Sequence, residues 1–274
     1  MNILVLGAGG LAGRAICRRL SRRHTVFGTF RRAPARGLSG ARWLLMNVAD
    51  PRQVDAVLQR ADPEAVVSCL RGPFPAQLAA HGQIARALRE RGTGQMVFLS
   101  TANVFDGADS APHTEQDAPC AESEYGQFKI QCEETLRDLL GERAAILRLP
   151  FLWGADGPRL EELMRAAARG EPVPVWAGLR SNHATDLQTA QFAEWVIEQR
   201  KSGVFHVGTD VPCEYDGFVS RLLERQGFAG ARLAPQELPH ARCLAVVCGR
   251  KDVPQALHRT TEQLLRELDG PEKR

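Results

Sequence analysis

The chain of 274 residues is 44% hydrophobic and 24% charged, enough apolar material for a full core, and its net charge of +3 comes without a basic block of five or six residues. Nucleic acid is therefore not an expected partner, nor is a membrane, since no run of 18 apolar residues occurs. Seven cysteines with no Cys-x-x-Cys pair and no Cys/His metal spacing point to a reducing compartment and no metal, and the opening Met-Asn-Ile-Leu-Val-Leu-Gly lacks the features of a signal peptide, so a cytoplasmic, soluble protein is expected.

Residues 3–6 are all apolar, as in a strand buried on both faces, and lead straight into Gly7-Ala-Gly-Gly-Leu-Ala-Gly13. Apolar positions 11, 12, 15, 16 and 20 keep helical spacing while Arg14, Arg18 and Arg19 take the other face, which predicts a helix over 11–20. Further strands are expected at 25–30, 42–46, 65–70 and 96–100, with a helix-like stretch before each of the later ones. This alternation implies an α/β fold with a Rossmann-type doubly wound parallel sheet. After Arg148 the rhythm loosens. Helices are expected at about 160–169 and 187–201, a break at 172–174, a strand at 204–208, an apolar run at 244–248 and a last helix at about 253–268. The expected division is a dinucleotide-binding domain over 1–154 and a smaller C-terminal substrate lobe over 155–274, with about 187–210 packing back on the sheet.

Gly7, Gly10 and Gly13 fit Gly-x-x-Gly-x-x-Gly, and Gly7, Gly9 and Ala12 fit Gly-x-Gly-x-x-Ala. Glycines at such a turn let the backbone approach a pyrophosphate, and the following helix offers unpaired N–H groups and the positive end of its dipole. A ligand-free turn could use the same glycines, but their place directly after an apolar strand is the context that a dinucleotide site needs. An NAD-selective site carries an acid about 20 residues further on. Here the second strand ends Thr29-Phe30-Arg31-Arg32, Arg36 follows, and no acid lies between 17 and 49. Guanidinium groups grip a 2′-phosphate, so NADPH is expected in preference to NADH; the alternative is that these arginines merely coat a loop.

Tyr125 and Lys129 stand four apart on an expected helix, so both project from one face. A nearby ammonium stabilises a phenolate and brings proton transfer closer to neutral pH. With two tyrosines and four lysines in 274 residues, such a pair is expected by chance about 0.03 times; an exposed helix pair is the competing reading. Thr101, at the end of the fifth strand, could donate to a substrate carbonyl, with Ser100 as the fallback because alternation lets only one of the two face a cleft. A strand-end threonine can also be a simple turn former.

The segments Ser-Thr-Ala-Asn-Val-Phe-Asp-Gly (100–107), Pro-His-Thr-Glu-Gln-Asp-Ala-Pro (112–119) and Tyr-Gly-Gln-Phe-Lys (125–129), with Glu133, resemble the extended short-chain dehydrogenase/reductases and, among them, the dTDP-4-dehydrorhamnose reductase branch. The first segment agrees with that branch's Ser-Thr-Asp-Tyr-Val-Phe-Asp-Gly at six of eight positions. Residues 148–154, 183–187 and 203–206 are similar to its later landmarks; the last 60 residues are not. The resemblance implies a catalytic set of Thr101, Tyr125 and Lys129, with Lys129 also holding the nicotinamide ribose. It puts Asn47 where the family often sets an aspartate against the adenine; Leu11, Val48 and Leu70 complete the expected cofactor contacts. Ala102 and Asn103 replace the branch's Asp-Tyr beside the sugar, and the loop 70–78 lacks its usual character. No asparagine occurs from 70 to 100 to hold a proton-relay water; His81 is either a substitute or an ordinary helix-surface histidine. Asn103, Phe105, Phe151, Trp153 and His183 are expected to line the substrate pocket.

The leading reading is an NADPH-dependent reductase of a small-molecule ketone such as a 4-keto nucleotide sugar, working as a homodimer. One alternative keeps the fold with bound NAD as a nucleotide-sugar epimerase or dehydratase. The other is a non-catalytic regulatory or nucleotide-binding subunit, as in the regulatory subunit of methionine adenosyltransferase, which resembles the same branch.

Overall fold

The protein is described from a computed structural model over residues 1–33, 40–108, 111–237 and 243–269. It opens with β1 (Asn2–Leu6), α1 (Leu11–Leu20), β2 (Thr25–Phe30) and β3 (Ala41–Leu45). There follow α2 (Pro51–Ala61), β4 (Ala65–Ser68), α3 (Phe74–Glu90) and β5 (Gln95–Thr101). A 3-10 turn over Ala102–Phe105 precedes α4 (Glu124–Leu140), β6 (Ala144–Leu149), β7 (Phe151–Trp153), α5 (Pro158–Ala168), β8 (Val173–Trp176), β9 (Arg180–Ser181) and β10 (His183–Thr185). The remainder is α6 (Asp186–Glu198), β11 (Gly203–His206), β12 (Cys213–Glu214), α7 (Tyr215–Arg225), β13 (Leu233–Gln236), β14 (Cys243–Leu244) and α8 (Thr261–Glu267).

Seven strands form one parallel sheet in the order β11-β6-β5-β4-β1-β2-β3. Strand order reverses at β1, whose neighbours are β2 and β4, and this switch point is where ligands of open α/β sheets collect, beyond the carboxyl ends of the strands. β4 and β5 are buried along their whole length, which is why residues 65–67 and 96–99 read as unbroken apolar runs. Local signals fix the helix starts: Asp50 caps α2 by accepting from the Arg52 N–H at 3.0 Å with Pro51 next in line, and Thr260 and Gln263 form a capping box on α8.

The chain packs into two compact units of nearly equal length. One contains Met1–Ser100, Gln127–Leu147 and Thr189–Phe205, the other Thr101–Gly126, Arg148–Gln188 and His206–Arg274. The division is thus no single cut at 154, and the second unit is not the smaller. Its core gathers Trp153, Leu160, Val173, Tyr215, Phe218, Leu222 and Leu264. Two element expectations need correction here. The proline pair at 172–174 starts a strand, β8, whose alternating burial leaves Pro174 facing outward while β13 pairs with it in parallel. The last helix begins only at Thr261, because Pro254 starts a short 3-10 turn and Thr260 is the cap. No helix among the described residues is long and apolar enough to cross a membrane.

Candidate active site

The glycine turn separates into two kinds of glycine. Gly7 has φ +72°, its N–H donates to Thr29 Oγ1 at 3.0 Å, and a Cβ there would meet the Cys69 carbonyl oxygen at 2.6 Å. A Cβ on Gly13 would lie 2.4 Å from the Gly7 carbonyl oxygen, so these two are required by the protein's own packing. Gly9 and Gly10 are exposed, and a Cβ on Gly9 has no neighbour within 4 Å. Gly10 is the N-cap of α1, with no side-chain cap and no acid in the first turn. An uncapped helix N-terminus beside open glycine backbone fits the diphosphate of a dinucleotide. Arg31 and Arg32 follow β2 and are exposed; Arg36 lies outside the described residues. Asn47 is half-buried: its N–H donates to Gln53 Oε1 at 2.8 Å and its Oδ1 accepts from the Ala49 N–H at 3.2 Å. Leu11, Val48 and Leu70 are also half-buried, the last two against the sheet core.

Thr101 ends β5 and caps the 3-10 turn: its Oγ1 accepts from the Asn103 N–H at 3.2 Å and donates to Asn103 Oδ1 at 3.0 Å. Ser100 points the other way and donates to the buried carboxylate of Glu133. Asp106, which the sequence reading passed over, organises the start of α4. It is buried and accepts from the Glu122 N–H at 2.8 Å, the Ser123 N–H at 3.1 Å and the Ser123 hydroxyl. Ser123 in turn accepts from the Gly126 N–H at 3.0 Å. Its signal was the Val-Phe-Asp-Gly tail of the quoted motif. Gly126 lets α4 close on the 3-10 turn, since a Cβ there would sit 2.2 Å from the Asn103 carbonyl oxygen.

Tyr125 in the first turn of α4 is 40% exposed, whereas Lys129 one turn later is 6% exposed. Lys129 Nζ donates to the Leu99 carbonyl at 2.8 Å and stands 4.5 Å from the Phe98 ring centroid. Burial brings its pKa down to about 8, against the upward pull of Cys132, Cys69 and Glu133, so the ammonium is still charged at neutral pH.

His81 is not a surface histidine. It is fully buried in α3, its Nε2 is 2.7 Å from Ser68 Oγ, and burial with the nearby Lys129 charge holds its pKa at about 3. The expected substrate wall also needs correction, because three of its aromatic side chains are closed off from solvent. Phe105 stacks on His113 with Arg148 over its ring, and Trp153 donates to His183 Nδ1 at 3.1 Å while His183 stacks on Phe218. Phe151 and Asn103 keep partial exposure, and the Arg159 guanidinium lies 4.8 Å from the Phe151 ring centroid. Among the described residues no His, Cys, Asp and Glu cluster could hold a metal ion.

Residues 74–242 match the family described as RmlD substrate binding domain. The chain is 25% identical over 250 residues to the spore coat polysaccharide biosynthesis protein SpsK of Bacillus subtilis, covering 85% of this chain and 82% of that one. It is 28% identical over 253 residues to a dTDP-4-dehydrorhamnose reductase of Streptomyces griseus, covering 85% and 78%. The solved dTDP-4-dehydrorhamnose reductase of Bacillus anthracis in complex with NADP shares the fold with a TM-score of 0.78 at 17% identity over 96% of each chain. The family match spans well over half of the sequence, and the chain belongs to the RmlD substrate binding domain family, within the extended short-chain dehydrogenase/reductases, a group of NAD(P)-dependent oxidoreductases.

Proposed function

We propose that this protein is an NADPH-dependent reductase of a ketone on a nucleotide-linked sugar. The observation that carries the reading is the start of α4, where the exposed phenol of Tyr125 is followed one turn later by the buried, charged Lys129. Gly9, Gly10 and the first turn of α1 would hold the diphosphate, Arg31 and Arg32 the 2′-phosphate, and Asn47, Leu11, Val48 and Leu70 the adenosine end; bound NADPH supplies a hydride. Tyr125 gives its proton to the carbonyl oxygen, and the Lys129 ammonium stabilises the phenolate left behind. Thr101 polarises the same carbonyl when its hydroxyl turns from Asn103 Oδ1 to the substrate. The name of the Streptomyces griseus relative supports a 4-keto sugar as substrate class. Ala102 and Asn103, with the partly exposed Phe151, are the positions at which this chain would select its own sugar.

The test is NADPH oxidation with a panel of 4-keto nucleotide sugars, run with NADH in parallel. Tyr125→Phe keeps the ring and removes the proton donor, so turnover should fall by at least about 10²-fold while NADPH affinity stays. Bound NAD that co-purifies, with no net reduction of any panel member, would reverse the reading in favour of an epimerase.

A further inference from the structure

Helix α4 turns two ionisable side chains into the protein. Lys129 is 6% exposed and Glu133 2%, and four-residue spacing sets them one above the other on a single face. An unpaired buried carboxylate is among the costliest groups a fold can contain, so its surroundings need an account. Three consecutive residues of β5 meet the pair: the Phe98 ring lies under the ammonium, the Leu99 carbonyl accepts from it, and the Ser100 hydroxyl donates to the Glu133 carboxylate. The mechanism above uses Lys129 and gives neither Glu133 nor Ser100 a task.

We propose that Glu133 is a positioning residue for Lys129, a buried counter-charge that is itself held by Ser100 and that keeps the ammonium ionised and fixed against β5. The titratable groups acting on Lys129 are Cys69, Arg71, Cys132 and Glu133, and Lys129 acts in turn on His81. Burial pushes the Cys132 thiol up to about 12 and raises Cys69 further, so both are neutral near pH 7. His81 is neutral as well, and Arg71 opposes the ammonium. Glu133 is therefore the one carboxyl side chain in this set.

The catalytic consequence rests on the reductase reading, but the experiment does not. The chain has four lysines, so protein labelled with 13C at lysine Cε gives four resonances, of which Lys129 is the one lost in Lys129→Met. Glu133→Gln should lower the Lys129 titration midpoint by about one pH unit or more. Glu133→Asp, which keeps the charge, should leave it near that of the unmodified protein. An unmoved midpoint in folded Glu133→Gln, or an equal fall in both variants, would overturn the proposal. If Glu133→Gln does not fold, Ser100→Ala takes its place: it should lower the midpoint by less, and no change would count against the proposal. Because the titration needs neither NADPH nor substrate, it decides the role of Glu133 even if the protein reduces no ketone. In an active reductase, the alkaline limb of kcat should move down with the midpoint.

Discussion

Gly126 offers the sharpest perturbation of α4 and of the proposed proton donor it carries. An alanine Cβ at this position would lie 2.2 Å from the Asn103 carbonyl oxygen and 2.5 Å from the Ala121 Cβ. Non-bonded carbon atoms rest about 3.5 to 4 Å apart, so the first turn of α4 must retreat by roughly 1 Å. Overpacking of this kind costs about 1 to 3 kcal/mol, and the better helix propensity of alanine returns at most about 1 kcal/mol. With the full return of about 1 kcal/mol the central expectation is a net loss of about 1 kcal/mol, read as a lower urea midpoint at unchanged slope. Turnover should suffer more than stability, since Tyr125 moves with its neighbour and a misplacement of about 1 Å can cost about 10²-fold. NADPH affinity should hold if the dinucleotide lies on the turn after β1, as proposed. If Gly126→Ala unfolded at the same urea concentration and turned over at the unmodified rate, the close-approach argument would be refuted.

Three further outcomes are expected. Gly9→Ala enters open space, so stability should be unchanged, whereas NADPH binding should weaken by at least about tenfold if the diphosphate lies on that backbone; equal affinity in calorimetric titration would move the diphosphate elsewhere. Arg31→Ala with Arg32→Ala should remove most of an NADPH preference of roughly 10- to 150-fold, and an unmodified protein that binds NADH equally well would sink that assignment. Burial holds His81 and His183 at about 3 and His206 at about 4, below the 6.5 of an unperturbed histidine, so the unfolded chain takes up protons first. Stability should accordingly fall as pH drops below 6.5, by about 2 kcal/mol for each of the three between pH 6.5 and 5. Urea midpoints that stay flat over that window would contradict their burial as neutral groups.

The first half of the fold was legible because β1, β2, β4 and β5 lie mostly inside, and a strand with no solvent face reads as a largely apolar run. α1 could be read to its ends from one apolar stripe. What escaped was set by long-range packing. Nothing local in Thr101–Gly126 shows that it packs with residues beyond 148, and the bridge from His113 to Val246 joins positions with no shared pattern. At the start of α4, Tyr125 and Lys129 stood out in the sequence by their spacing. Asp106 and Glu133 were visible only as motif letters, because their work is hydrogen bonding to Ser123 and Ser100 at distant positions. Aromatic identity pointed to Phe105 and Trp153 as pocket walls, but ring size suits a core as well as a ligand, and burial decided for the core.

The position of β5 in the sheet also bears on how the chain is synthesised. Its two neighbours are β4, made earlier, and β6, which begins 43 residues after β5 ends. At roughly 5 to 20 residues per second, a nascent chain carries β5 with one open edge for about 2 to 9 seconds before its partner exists. The waiting strand contains Met96-Val-Phe-Leu99, an apolar segment with high β-propensity and no charge, of the sort that recruits other chains through unpaired backbone groups. The residues translated meanwhile include α4, and they cannot shield that edge in the way β6 does. Elongation speed between Ala102 and Arg143 therefore sets how long the growing chain is exposed to aggregation and how much it depends on chaperones.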